Sequence, residues 1–175
     1  CYQPKQLSNL YVLFGNMLRE QAEYYQHVDM MHLLQVAHEA FDYCIIEVNA
    51  YWDNAGKVSG LQGAAHQIMV TNEDLANFQE DSNRWLHNIS GMIGLSASDF
   101  RLVVVDRYAS KSSLKWLSNR DISKETKMPV LTRIPRQEEI GLHADRGQLL
   151  TFILSHSLLR ERTGKIIELL QQDVQ

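Results

Sequence analysis

The chain has 175 residues, 45% of them hydrophobic, which is enough for one core and near the usual size of a single domain. Seventeen basic against twenty-one acidic side chains leave a net charge of -4, so the overall balance gives no attraction to nucleic acid or to an anionic membrane. No apolar run approaches the ~20 residues that cross a bilayer, and the two cysteines, Cys1 and Cys44, form no disulfide or metal pattern, which fits a reducing, cytoplasmic compartment.

Five short apolar runs, residues 10–14, 43–47, 66–71, 101–105 and 129–134, are separated by segments with helical spacing. Runs of β-branched and apolar residues without polar alternation belong to strands buried on both faces, the mark of a parallel sheet between helices. The expected fold is α/β, with a mainly parallel sheet of about five strands flanked by helices on both faces. After the first run, Gly15 and Asn16 make a turn, and Met30, Met31, Leu33, Leu34, Val36 and Ala37 predict a helix over about residues 27–41. The second run holds Cys44 as a small hydrophobe. Residues 48–61 carry Asn54, Gly56 and Gly60 with little periodicity, and are expected to form a long functional loop.

Beyond the third run, Asn72 is a candidate helix cap with Glu73 and Asp74 in the first turn, opening a long helix to about Ile93. The fourth run is followed by a short helix beginning over residues 113–117, and the fifth ends at Pro135. From Gly147 onward the leucine and isoleucine spacing predicts one long or one broken terminal helix, with Gly164 as its weak point. In a parallel sheet, ligands bind outside the carboxyl ends of the strands, which directs attention to Asn16, Glu47–Asp53, Thr71–Asp74, Asp106–Ser110 and Pro135–Glu139.

Taken in order, these segments resemble the second half of the deviant P-loop ATPases of the MinD/ParA type. The resemblance is carried by Asn9-Leu10-Tyr11-Val12-Leu13-Phe14-Gly15, Phe41-Asp42-Tyr43-Cys44-Ile45-Ile46-Glu47, Ala64–Thr71, Val104-Val105-Asp106-Arg107 and Pro129–Ile140. It covers about residues 7–170. The glycine-rich phosphate loop with its lysine and Ser/Thr is absent from these residues, so residues 1–175 are expected to be a single α/β domain forming the C-terminal part of a larger ATPase-like domain. The chain opens on Cys1 without an initiator methionine, in keeping with that expectation.

The resemblance implies roles for particular residues. Asp106 and Arg107 stand where the family's Asn-Arg pair lies against the adenine base, and Pro135 and Arg136 where its backbone borders that base. Glu47, in place of the family's aspartate, falls on the magnesium side, and Asn49 and Asp53 fall in the switch that follows it. The cofactors implied are ATP and Mg2+, in the full-length protein only, with none expected for these residues alone. The seven histidines show no metal spacing, and no metal site is assigned.

By the same resemblance the function is that of a nucleotide-dependent positioning or assembly ATPase, cytoplasmic, that dimerises on ATP and recruits a protein partner. Pilus-assembly proteins of the CpaE and TadZ type are relatives with comparably atypical sites. The alternative is a non-catalytic pseudo-ATPase scaffold of a pilus or secretion assembly, which Glu47 and Asp106 favour over the family's usual residues. An unrelated small α/β enzyme would need a nucleophile with its base, and no Ser-His-Asp or Cys-His order stands out. The terminal segment mixes apolar residues with Arg160, Arg162 and Lys165, but Glu161, Glu168 and Asp173 dilute any basic face, which argues against membrane binding and for an ordinary packed helix.

Overall fold

A computed structural model describes residues 1–5, 7–15, 19–49, 52, 54–74, 76, 86–107 and 117–172. They fall into two compact units, Cys1–Gly63 and Ala64–Gln175.

The first unit is helical. After a 3-10 turn over Arg19–Tyr24 come α1 (His27–Ala40) and α2 (Ala55–Gly63). The periodicity over 27–41 therefore marks a helix, whose first turn is closed by Asp29 accepting from the Gln26 amide at 2.9 Å. The second half of the long loop expected over 48–61 is instead α2, and its glycines have a packing role. A Cβ on Gly60 would come within 3.1 Å of Ile46 Cγ2, and one on Gly63 within 3.1 Å of Leu34 Cδ1. These glycines allow close approach rather than mark a break.

Neither of the first two apolar runs is a strand. In residues 10–14 only Val12 pairs, through an antiparallel bridge to Tyr2 with amide-to-carbonyl distances of 2.8 and 2.7 Å. Residues 43–47 have no ladder partner, Ile45 is 89% exposed, and Cys44 is exposed rather than a buried hydrophobe. The physical reason is that β-propensity favours an extended backbone but cannot supply the neighbouring strand that satisfies its N–H and C=O groups.

The second unit contains the sheet. Strands β1 (Gln67–Asn72), β2 (Phe100–Val105) and β3 (Val130–Ile134) form a parallel sheet in the order β1-β2-β3, so among the described residues the sheet has three strands where the sequence predicts about five. The last three apolar runs match these strands to within a residue. Between them lie a short helical turn, α3 (Ser90–Met92), and α4 (Asn119–Thr126); after β3 come α5 (Ile140–Asp145), α6 (Leu149–Ser155) and α7 (Ser157–Gln171). The central strand β2 is the core, with Leu102, Val103 and Val104 at most 1% exposed, and Ile122 of α4 and Met128 buried with it. Helices α4 and α7 pack on β3.

The terminal helix does break, at His156 rather than Gly164. His156 Nδ1 accepts from the Leu159 amide at 3.4 Å and so caps α7, while Gly164 lies inside that helix. The expected cap of the helix after β1 also moves. Asn72 is the last residue of β1, and Asp74 is the capping residue, its Oδ1 accepting from the Ala76 amide at 3.0 Å. Apart from Ala76, residues 75–85 of the expected helix lie outside the described residues, as does the helix expected to begin over 113–117 except at Leu117, which is not helical.

Candidate functional site

Parallel pairing places the carboxyl ends of the three strands at one edge of the sheet. Thr71 pairs with Val104 and Val104 with Arg133, so the segments leaving this row are Asn72-Glu73-Asp74, Val105-Asp106-Arg107 and Ile134-Pro135-Arg136. The Asp106 amide donates to the Ile134 carbonyl at 2.9 Å, which carries the ladder one step beyond β2. The structure thus brings together Asp106, Arg107, Pro135 and Arg136, four of the residues the sequence nominates. Glu47 and Asn49 are exposed residues of an irregular segment in the first unit, and Asp53 lies outside the described residues.

Three acids and three arginines meet at this edge, and two of the arginines pair with the three acids. Arg107 Nη1 donates to Asp74 Oδ2 at 2.7 Å, an ion pair with a half-exposed arginine. Arg133 reaches from β3 across the end of β2, its Nε donating to Asp106 Oδ1 and its Nη2 pairing with Glu73 Oε1. Its Nη1 donates to the Leu117 carbonyl at 2.9 Å and contacts Asn119 Oδ1 at 3.4 Å. Arg136 Nη1 donates to the Arg107 carbonyl at 2.7 Å. The Glu73 side chain is only 3% exposed, so Arg133 is the counter-charge that makes its burial tolerable. Burial alone would lower the Arg133 pKa, but its hydrogen bonds to Asp106 and Glu73 and their charges outweigh this and raise it, keeping the guanidinium cationic.

Two of the three guanidinium groups, those of Arg107 and Arg133, are already paired with carboxylates, whereas Arg136 bonds a backbone carbonyl. The sequence directed attention to Glu73, within Thr71–Asp74, but did not single out Arg133 for this site. One signal was present: an arginine inside an otherwise apolar run, Leu131-Thr132-Arg133-Ile134, needs a buried counter-charge.

A second feature is a groove of about 620 Å³ in the first unit, lined by Val28, Met31, His32, Leu34, Gln35 and His38. Its lining carries no carboxylate or thiol, and among the described residues no group of three or more His, Cys, Asp or Glu could hold a metal ion. His27 Nδ1 lies 2.7 Å from Ser59 Oγ, but Ser59 is fully buried in α2, and the contact ties α1 to α2 rather than exposing a nucleophile.

The class defined by this geometry is a parallel α/β domain whose strand ends converge on one polar edge. The fold is ParA-like: over 85% of this chain the structure superposes on the crystal structure of a ParA family ATPase from Chlorobium tepidum TLS, with a TM-score of 0.67 and 19% sequence identity. The chain spans 59% of the length of that protein. No family model matches the sequence, and no curated protein matches it. Among the described residues no helix is long and apolar enough to cross a membrane.

Proposed function

We propose that this chain is part of a MinD/ParA-like nucleotide-dependent positioning or assembly ATPase and supplies the base-binding end of its ATP site. The observation that carries the proposal is the convergence of Asp106, Arg107, Pro135 and Arg136 at the carboxyl edge of the parallel sheet of a ParA-like fold. In this assignment Asp106 accepts from the exocyclic amine of adenine, and the backbone around Pro135 and Arg136 borders the ring. Glu47, Asn49 and Asp53 form the switch on the magnesium side. In this proposal the residues at the three strand ends serve the base, and the triphosphate with its Mg2+ would be held by a phosphate loop that these residues lack. The whole protein would then work as a cytoplasmic homodimer that recruits a protein partner at the membrane periphery.

A non-catalytic scaffold of the CpaE/TadZ kind, serving a pilus or secretion assembly, is the second proposal. It is favoured by the ion pairing of Asp74, Glu73 and Asp106, which ties these acids into the structure rather than leaving them for chemistry. Calorimetric titration of the full-length protein with ATP and Mg2+, run beside a phosphate-release assay, tests both. Binding with turnover that rises with protein concentration is expected for the dimerising ATPase, and binding without turnover for the scaffold. No binding at all would overturn every nucleotide role assigned to these residues.

A further inference from the structure

We propose that the junction between α6 and α7 is an acid-sensitive switch, closed while the neutral imidazole of His156 caps α7 and opened when that ring takes up a proton. The switch is independent of the nucleotide role proposed above and uses none of its residues.

It begins with an unusual cap. The residues that most often open a helix are Ser, Thr, Asp and Asn, none of which changes charge between about pH 5 and 8, whereas histidine does. Here the position is held by His156, in extended backbone, and its Nδ1 accepts from the Leu159 amide at 3.4 Å. Accepting at Nδ1 places the ring proton on Nε2. A second proton must then go to Nδ1 itself, the one basic lone pair the ring has left. The protonated ring donates at both nitrogens, and the Leu159 amide loses its acceptor. The cation also sits at the positive end of the helix dipole, which opposes it. The cap is therefore present at the higher pH and lost as pH falls.

The groups around the ring do not reverse that sign. Helix α6 has no acidic or basic side chain, and its Phe152 ring lies between two imidazoles, with centroids 5.3 Å from His156 and 4.5 Å from His143. Helix α5 packs on α6 and brings His143, with Asp145 and Arg146 beyond it. His143 Nε2 is 4.0 Å from the exposed Glu139 carboxylate, and its Nδ1 is buried with no hydrogen-bond partner among the described residues. In β3, on which α7 packs, the charged residue is Arg133, already paired with Asp106 and Glu73. On α7 itself Arg160 lies one turn on, and Glu161 is 3.9 Å from Arg162. Among the described residues no carboxylate pairs with His156; the Phe152 ring face is what favours a cation there, against the lost acceptor and the dipole. Leu159 is the residue that α7 buries, so an uncapped first turn weakens the hold of α7 on the sheet.

The test is amide hydrogen exchange on the full-length protein at about pH 8 and about pH 5, expressed as protection relative to the free-peptide rate at each pH. Wild type should lose roughly tenfold protection at the Leu159 amide on going to the lower pH, as loss of a helix cap does. His156→Asn keeps a capping oxygen that does not titrate, and should hold its protection at both values. His156→Ser is read in its place if that variant does not fold, with the same expectation. His156→Ala should start low and stay low. His143→Phe keeps a ring against Phe152 but removes the other imidazole, and should retain the wild-type dependence. Wild-type protection that does not change with pH would overturn the proposal. So would a His156→Asn variant that loses protection in step with wild type, or a His143→Phe variant without pH dependence, because each places the titrating group elsewhere.

Discussion

The two units use similar apolar residues with opposite results. In Ala64–Gln175, Leu102, Val103, Val104, Ile122 and Met128 are at most 1% exposed. In Cys1–Gly63, α1 has no buried residue among those described, although it carries Val28, Met31, Leu33 and Val36. Periodicity tells where a helix will seek a partner, whereas stability comes only from apolar area actually taken from water. The largest expected effect follows. Leu102→Ala should destabilise by about 2–5 kcal/mol through lost transfer energy and a cavity, while Val36→Ala should change stability by no more than about 0.5 kcal/mol. Urea denaturation of the two variants checks this, and equal losses would break the contrast between the units.

The same contrast exists between two ion pairs at one sheet edge. Glu73 is almost fully buried against Arg133, whereas Arg107 is half exposed beside Asp74. Arg133→Met should cost about 3 kcal/mol, because it strands a buried charge. Arg107→Met should cost about 0–1 kcal/mol, since water competes for an exposed pair. Removing both charges at once, in Glu73→Leu with Arg133→Met, should recover most of the larger loss. A double variant no more stable than Arg133→Met alone would show that the arginine matters for its contacts with Asp106 and Leu117 rather than for charge compensation of Glu73.

What the sequence disclosed divides along the same line. Strands β1, β2 and β3 were legible because runs such as Leu102-Val103-Val104-Val105 are buried on both faces and show it in composition. Residues 10–14 and 43–47 carry an equal local signal, but a strand exists only when a second one pairs with it, and no local pattern reports that. Helix α2 was concealed by Gly56 and Gly60, which suggest a loop until their neighbours Met30 and Ile46 are seen. In the site, Asp106, Arg107, Pro135 and Arg136 followed from the rule that ligands meet the carboxyl ends of parallel strands. Glu73 followed from the same rule, within Thr71–Asp74, but Arg133 and its pairing with Glu73 did not, because their meeting depends on the bulge at Leu131, and one extra residue in a strand leaves no mark in composition.

Helix α4 supplies the smallest effects and carries a local signal of its own: Ser118 followed three residues later by Asp121. Ser118 Oγ accepts from the Asp121 amide at 3.2 Å and donates to Asp121 Oδ2 at 2.6 Å, while the Ser118 amide donates to Oδ2 at 3.1 Å. This reciprocal cap positions Ile122 and Thr126, which are buried beneath the helix. Ser118→Ala should destabilise by about 1 kcal/mol, as loss of an N-cap hydroxyl does.

The acid side of the cap titrates. The Ser118 side chain first, then its amide, hydrogen-bond the ionised carboxylate and hold the Asp121 pKa below its ordinary value of 3.8. A carboxyl group depressed on folding adds stability at pH values above 3.8, and that stability is lost as pH falls through the lower folded value. Asp121→Asn should therefore be less stable than wild type at pH 7, with the gap narrowing only below about pH 4. Urea midpoints measured from neutral pH downward check the sign. A gap that closed already between pH 7 and 5 would locate the titration on another group and separate the cap from acid sensitivity. A gap that narrows only in the acid range would place this part of the pH dependence in a single exposed turn of α4, outside the buried clamp of Glu73 and Arg133.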